Sequence, residues 1–354
     1  MFLKNCWYVA AEAHEIGRLP FARTICGEKI AFWRKEDGTP VAFQDRCCHR
    51  RLPLRKGTLI GDRLRCHYHG LEFDASGACV QIPGQVAIPP GAQVRTYPVV
   101  ARYKWIWIWM GDPALADPAA IPDCHWREDP AWGDKGTYFH VRCNYRLICD
   151  NLLDQSHIVF VHASTLGSGA INDKPQQRIF RDDQAVKSVR WVLDCTPPPA
   201  YRALMGWSED KRVDRWLISE FRPPSTVRLF TGAAPGAAQG QPFGFTDLLA
   251  DVPAGGLGLR NINCITPETE TTAHYFWCNP MQAPDIGTEI VDRMFGQILR
   301  AFEQDWEVLE LQQANWDEQP VINVNADGSF LAARQLLDRW IAEEARSRPA
   351  AAAE

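Results

Sequence analysis

The sequence predicts an α+β protein in two parts: an N-terminal antiparallel β domain, then a larger domain whose strands are followed by long helices. Three observations predict it. The first part of the chain holds only short β-rich runs separated by turn signals. A Pro-rich stretch, from Gly111-Asp112-Pro113 through Asp117-Pro118 to Ile121-Pro122, interrupts that pattern and sets the expected division at 1–112 and 113–354. Beyond it, strand-like runs give way toward the C-terminus to apolar residues at helical spacing.

In the first part, residues 7–10, 24–26, 29–33 and 41–43 read as strands, rich in β-branched and aromatic side chains. Gly27-Glu28 and Asp37-Gly38 supply turns between them. Residues 71–73, 79–82, 94–100 and 105–109 continue the β pattern. In the second part, 137–143 opens with a strand and 147–162 carries helical spacing. Residues 188–193, 215–221, 226–231, 259–265 and 274–278 read as strands of one antiparallel sheet. The Gly-, Ala- and Pro-rich connection 232–258 is expected to be an unstructured link or a lid over a pocket. Ile290, Met294, Ile298, Phe302, Val308 and Leu309 put a long amphipathic helix over about 286–314, and a second helix covers 331–346. The Ala-rich tail after Pro349 is expected to fray.

Composition narrows the class. With 46% hydrophobic and 23% charged residues, the chain reads as globular with a sizeable core. A formal net charge of −5 and the lack of a basic run argue against a nucleic-acid partner. No apolar run reaches membrane-spanning length. Met1 to Asn5 lack the basic-then-apolar layout of a secretory leader. Apart from Cys47 and Cys66 the twelve cysteines are scattered, so disulfides are not expected and a reducing cytoplasm is the expected setting. Fourteen tryptophans predict an aromatic core, some of it lining a pocket.

The chemistry concentrates in two stretches. The first runs Cys47-Cys48-His49, then sixteen residues, then Cys66-His67-Tyr68-His69-Gly70. It pairs Cys47 with His49 and Cys66 with His69. Two thiolates and two imidazoles suit one zinc. They equally suit a [2Fe–2S] cluster with both cysteines on one iron and both histidines on the other. Zinc knuckles mostly repeat one ligand type, whereas each loop here brings one Cys and one His. Each iron would then take one ligand from each loop. Cys48 and His67 fall outside the ligand spacing. Neutral imidazoles in place of two thiolates raise the cluster potential, so such a centre accepts electrons and passes them on.

The second stretch is Asp150 to His162, with Asp154, His157 and His162 as its polar marks. Two histidines five apart do not share a face of a regular helix at about 100° per residue. They converge if the helix bulges or ends before His162. Asp154, one turn before His157, is placed to accept its ring N–H and fix the tautomer. Alone, the stretch also reads as core histidines on a buried helix. Beside the first motif it reads as a second metal site.

Together the two stretches resemble the oxygenase component of Rieske non-heme iron oxygenases, over essentially the whole chain. Residues 5–10, 69–73, 106–113, 150–154 and 266–271 are similar to the branch of vanillate O-demethylase, toluenesulfonate methyl-monooxygenase and dicamba demethylase. Cys48, within Arg46-Cys47-Cys48-His49-Arg50, is more similar to the toluenesulfonate enzyme. The resemblance implies a Rieske domain holding [2Fe–2S] on Cys47, His49, Cys66 and His69. It implies a catalytic domain of helix-grip (START-like) fold. There, His157, His162 and a late-helix carboxylate would hold mononuclear Fe(II) in a facial triad that leaves positions for O₂. Asp305 in Ala301-Phe302-Glu303-Gln304-Asp305 is the implied carboxylate, with Glu303, Glu307 and Asp292 as competitors. Asn151 and Asp154 join the catalytic set, Asp154 as the bridge that receives electrons from His69 of a neighbouring chain. A homotrimer is implied, fed from NAD(P)H by a separate flavin- and ferredoxin-type reductase and oxidising a methyl or methoxy group on an aromatic acid. Asn263 is an implied substrate contact. Arg228, alternating with Thr226 and Phe230 on a strand, is placed to pair with a carboxylate or sulfonate.

A reading from another class is a Rieske electron-transfer protein fused to a ligand-binding domain, without oxygenase activity. Metal analysis separates them. An oxygenase is expected to hold three irons per chain, an electron-transfer protein two and a zinc protein none. The expected result is three irons and, on reduction, the anisotropic EPR signal of a His-ligated cluster.

Overall fold

The computed structural model describes residues 1–167, 170–173, 176–239, 241, 243–282, 287–317 and 319–347. The chain forms two compact units, Met1–Asp123 with Thr266–Glu270, and Cys124–Ile265 with Thr271–Glu354.

The first unit is antiparallel β. Its strands are β1 (Trp7–Glu12), β2 (Phe21–Ile25), β3 (Glu28–Arg34), β4 (Pro40–Gln44), β5 (Thr58–Ile60), β6 (Arg63–Arg65), β7 (Glu72–Phe73), β8 (Cys79–Gln81), β9 (Thr96–Tyr97), β10 (Val99–Arg102) and β11 (Trp105–Trp109). They form three sheets, ordered β1-β11-β10, β2-β3-β4-β9 and β5-β6-β7-β8. β11 reads Trp-Ile-Trp-Ile-Trp; it is the middle strand of its sheet, paired on both edges, and its side chains are buried on both faces. The strand expected over 94–100 is split at Pro98, which has no N–H for the ladder. The expected link after residue 112 is ordered as two 3₁₀ turns, Pro113–Leu115 and Pro118–Ala120. Asp112 and Asp117 cap them by accepting from Ala114 N (3.0 Å) and Ala119 N (2.9 Å). Trp33, Phe43, Leu64, Leu71 and Phe73 pack into one buried cluster that includes Cys47 and Cys66.

The second unit carries α1 (Tyr145–Leu153), α2 (Ile158–Val161), α3 (Ala170–Asp173), α4 (Pro199–Met205), α5 (Gly287–Ala314) and α6 (Gly328–Ser347). Its seven strands are β12 (Trp132–Val141), β13 (Gln176–Arg181), β14 (Val186–Cys195), β15 (Val213–Arg222), β16 (Thr226–Ala234), β17 (Leu257–Pro267) and β18 (Ala273–Gln282). They make one sheet, ordered β12-β18-β17-β16-β15-β14-β13. Strand alternation gives the sheet two characters. On one face Trp191, Trp216, Ile218 and Phe230 form an apolar layer that Ala237, Ala238 and Leu248 cover. Within the connection 232–258, expected as an unstructured link or a pocket lid, Ala237, Ala238 and Leu248 instead pack on the back of the sheet. The other face, with Leu217, Leu229, Thr231, Leu259 and Asn261, meets side chains of α1 and α5 at a shared cavity. This is the helix-grip arrangement expected.

α5 buries Met294, Ile298, Ala301, Phe302, Asp305 and Leu309, a helical stripe that includes one carboxylate. Val308, expected on that stripe, is 42% exposed, since it lies one residue off the row that ends in Leu309. Ile286, the side chain of Ile290 and the tail after Ser347 lie outside the described residues. The helix expected over 147–162 is broken: α1 ends at Leu153 and α2 starts at Ile158.

α6 fixes the end of α1. Ser329 Oγ donates to Leu153 O (3.0 Å), and Arg334 pairs with Asp150 through both carboxylate oxygens. Arg334→Ala would leave the Asp150 carboxylate, only 14% exposed, without that cation. Because Arg334 itself is 32% exposed, the expected loss is about 2 kcal/mol, less than for a fully buried pair. Denaturant unfolding is expected to show it, and Asp150→Asn with Arg334→Leu is expected to restore most of it, since no charge then stays unpaired.

Candidate active site

The two Cys/His loops close in the same way. Cys47 N donates to Leu52 O (2.9 Å) and Arg51 N to Cys47 O (3.1 Å); Cys66 N donates to Leu71 O (2.8 Å) and Gly70 N to Cys66 O (3.1 Å). Arg51 and Gly70 occupy matching positions with φ of 63° and 74°. At Gly70 glycine is required, because a Cβ would also stand 2.9 Å from Pro83 Cγ. These matched turns bring four donor side chains together. The His49 and His69 rings lie 4.6 Å apart, both exposed. Cys47 and Cys66 are buried beneath, with their thiols adjacent. Burial, opposed by a backbone hydrogen bond and reinforced by Cys66, pushes the Cys47 thiol up to about 12. Thiolates there need a bound cation, as metal ligation supplies. Cys48 and His67 are exposed side chains beside the cluster loops.

In the second unit the break after α1 does the positioning. Asp154 leaves the helix in an extended conformation, ψ 114°, and its Oδ1 accepts from Ser156 N at 2.7 Å. The chain then re-enters helix at α2, with His157 at its start and His162 at its end. Their rings lie 5.2 Å apart, nearly perpendicular at 78°. Both Nε2 atoms face Asp305 Oδ1, His157 at 3.5 Å and His162 at 3.2 Å. One ligand atom from each of the three residues lies within 4.8 Å of the others. Two imidazoles and one carboxylate on one side of an open space fit mononuclear iron. Glu303, Glu307 and Asp292 are exposed, and Asp292 pairs with Lys135 instead.

Neighbours set the electrostatics. Asn151 Nδ2 donates to Asp305 Oδ1 at 3.0 Å. His162 Nδ1 lies 3.0 Å from Gln304 Oε1. With Nε2 turned to the metal site, Nδ1 carries the proton and donates. Burial lowers the His162 pKa, but Asp305 and then Gln304 outweigh it, so the net shift is upward. For Asp154, burial raises the pKa, while His157 and Ser156 outweigh it and hold the carboxyl low. Asp154 Oδ2 stands 3.7 Å from His157 Nδ1. That is beyond a hydrogen bond, so its pull is electrostatic, and His157 Nδ1 has no hydrogen-bond partner among the described residues.

Below the three ligands lies a small cavity of about 80 Å³, lined chiefly by Leu217, Leu229, Leu259, Ile298 and Phe302. Gln155, Thr231 and Asn261 are its polar lining apart from the site residues. Asn151, Asp154 and His157 also border a wider cleft of about 700 Å³ with Trp316 and Ile322. Two expected substrate contacts do not line the cavity. Asn263 is fully buried with its amide engaged, Nδ2 donating to Val227 O (3.0 Å) and Oδ1 accepting from Tyr275 OH (2.8 Å). Arg228 alternates with the cavity-lining Leu229, so it projects from the opposite face, where it pairs with Glu220 across the strands at 2.5 Å. Gln304, Gln155 and Asn261 escaped the sequence reading. The first two were signalled by adjacency to Asp305 and Asp154, and Asn261 by sitting two residues from Asn263 on one strand face.

Residues 6–98 match the Rieske [2Fe-2S] domain, and residues 141–343 match the vanillate O-demethylase oxygenase C-terminal domain. The chain is 39% identical to a putative toluene-4-sulfonate monooxygenase system iron-sulfur subunit of Comamonas testosteroni, covering 97% of this chain and 98% of the relative. It is 36% identical to a vanillate O-demethylase oxygenase subunit of a Pseudomonas species, covering 99% and 98%. The crystal structure of dicamba monooxygenase bound to 3,6-dichlorosalicylic acid superposes with a TM-score of 0.86 at 32% identity, covering 98% of this chain and 99% of that one.

The Gln304 contact makes a specific expectation. Gln304→Leu removes the acceptor that orients His162, and Fe(II) affinity is expected to fall about 10- to 100-fold. Anaerobic Fe(II) titration is expected to show this while the visible absorption of the cluster in the other unit is unchanged.

Proposed function

The chain belongs to the Rieske non-heme iron oxygenases, as the oxygenase component of a multicomponent system, and from that premise we propose that it demethylates or hydroxylates a methyl or methoxy group on an aromatic acid. It carries a [2Fe–2S] cluster and mononuclear iron, and draws electrons from NAD(P)H through a separate reductase. The observation that carries the proposal is the convergence of His157, His162 and Asp305 at the head of an apolar, ring-sized cavity. For a methoxy substrate the reaction balances as methoxyarene, O₂, NAD(P)H and a proton giving phenol, formaldehyde, NAD(P)⁺ and water. The hydroxylated methoxy carbon is a hemiacetal and collapses to the last organic pair. For a methyl substrate the product is the benzylic alcohol.

Bound iron supplies the activation of O₂. Cys47, His49, Cys66 and His69 hold the cluster in this reading, and His157, His162 and Asp305 hold the iron. Gln304 and Asn151 keep two of those ligands in place by hydrogen bonds. The leucines and Phe302 exclude water and seat the ring. Exposed His69, and Asp154 at the border of cavity and cleft, support a chain-to-chain electron bridge in a homotrimer. No helix among the described residues is long and apolar enough to cross a membrane. The scattered cysteines support a cytoplasmic setting.

Formaldehyde release from methoxybenzoates, with a surrogate reductase, tests the activity. Two variants test the roles. Asp154→Asn keeps the size but loses charge and acceptor strength, so both metals are expected to remain while cluster reoxidation by substrate and O₂ slows. Asp305→Asn is expected to lose iron directly. Single-turnover reoxidation beside iron content decides; iron loss in Asp154→Asn but not Asp305→Asn would reverse the assignment.

A further inference from the structure

Two buried amides in the cavity have polar ends that the fold leaves unused. Gln155 is 5% exposed and Asn261 6%. Gln155 Nε2 points back at β15, donating to Leu217 O (3.3 Å) and Ser219 Oγ (3.4 Å). That fixes the orientation of the amide, and its carbonyl Oε1 has no hydrogen-bond partner among the described residues. Asn261 Nδ2 likewise has no partner among the described residues. Both residues line the same cavity as the three ligands. Ser219, Leu229 and Asn261 stand opposite one another on β15, β16 and β17. Ser219, which Gln155 contacts, and Asn261 are therefore about 10 Å apart, two strand spacings. A single ring lying over Leu229 would reach a hydrogen bond at either edge.

The cavity also has charged neighbours. Among its lining residues there is no Lys or Arg, and its carboxylates are Asp154 and Asp305. Arg228 lies on the other face of the sheet. Arg190 is paired opposite Leu217 on β14 and so shares the cavity face of the sheet; it donates to Gln177 Oε1 (3.0 Å), its Nε has no hydrogen-bond partner among the described residues, and it interacts electrostatically with Asp154. A neutral donor would meet Gln155 Oε1.

We propose that Gln155 is a specificity-determining residue: its Oε1 accepts a hydrogen bond from a neutral ring hydroxyl or amino group, with Asn261 Nδ2 donating to an acceptor at the opposite edge. The preferred substrate is then a methyl- or methoxy-bearing aromatic compound that also carries a ring hydroxyl or amino group. This rests on the oxygenase reading above and narrows its substrate class. A site built around a buried acceptor rejects an analogue that cannot donate, because the acceptor then stays unpaired in the complex.

The test is equilibrium binding to the iron-loaded, full-length protein by calorimetry, without reductase or O₂. The probes are 2-methoxyphenol, 1,2-dimethoxybenzene and 3-methoxybenzoate. Wild type is expected to bind 2-methoxyphenol about tenfold more tightly than either other probe. Gln155→Leu is expected to bring 2-methoxyphenol and 1,2-dimethoxybenzene within about twofold of each other, with unchanged iron content. Asn261→Ala is expected to keep the preference for the hydroxyl, since 2-methoxyphenol carries no acceptor at the opposite edge. Three outcomes would overturn the proposal: no preference in wild type, tightest binding of 3-methoxybenzoate, or an equal loss for every probe in Gln155→Leu. Turnover is scored separately. A protein that prefers the phenol but releases no formaldehyde with reductase and O₂ defeats the oxygenase reading and leaves the binding role standing. One that oxidises methoxyarenes without preference defeats only this proposal.

Discussion

On an unbroken helix, His157 and His162 would point about 140° apart, five steps of about 100° each. Both Nε2 atoms nevertheless face one carboxylate oxygen on α5, at 3.5 and 3.2 Å. The chain resolves this by stopping α1 at Leu153, crossing four residues in a turn, and resuming helix for a single turn at α2. Asp154 makes the turn, since its carboxylate captures the Ser156 N–H that the helix would otherwise have used. The same residue then stands beside His157. Gln155, inside the break, is turned onto β15. The position of every ligand and cavity residue from this segment follows from that interruption.

The break holds because the helix that precedes it is anchored. α1 is capped by Asn144 and buried through Leu147, Ile148, Leu152 and Leu153. α6 ties down its last turn through Ser329 and Arg334. Opposite, α5 presents Asp305 in a row of apolar side chains, a position where an unpaired carboxylate would be costly. Asn151, the two histidines and a metal together offset that cost. The cluster loops follow the same logic. Two matched turns hold the thiols buried and leave the two imidazoles exposed.

The sheet behind the catalytic site works because its alternation separates two tasks. Trp191, Trp216 and Phe230 build a core sealed by the connection after β16. Leu217, Leu229 and Thr231, one residue out of phase, face the cavity. A one-residue shift of register would exchange a packed core for a binding surface, and this is why Arg228 cannot serve the cavity while Leu229 does.

Much of this was legible in the sequence. Ligand types and spacing in residues 47–69 specify a mixed Cys/His centre, because each loop is short enough for local geometry to place its own two donors. The long helix of α5 and the strands of both units follow from periodicity, which records burial directly. Within α5, Asp305 stands out once the apolar row is drawn. What the sequence left open depended on contacts between distant segments. Whether residues 147–162 bulge or break depends on α6 and β15, which lie far along the chain. Whether 232–258 covers a pocket or a core depends on which sheet face it crosses. Asn263 and Asn261 share one strand face and are indistinguishable by pattern; Tyr275 on β18 engages the first, while the helices leave the second at the cavity wall. Spacing along the chain decided the chemistry, and packing across it decided which polar atoms remain free to meet a substrate.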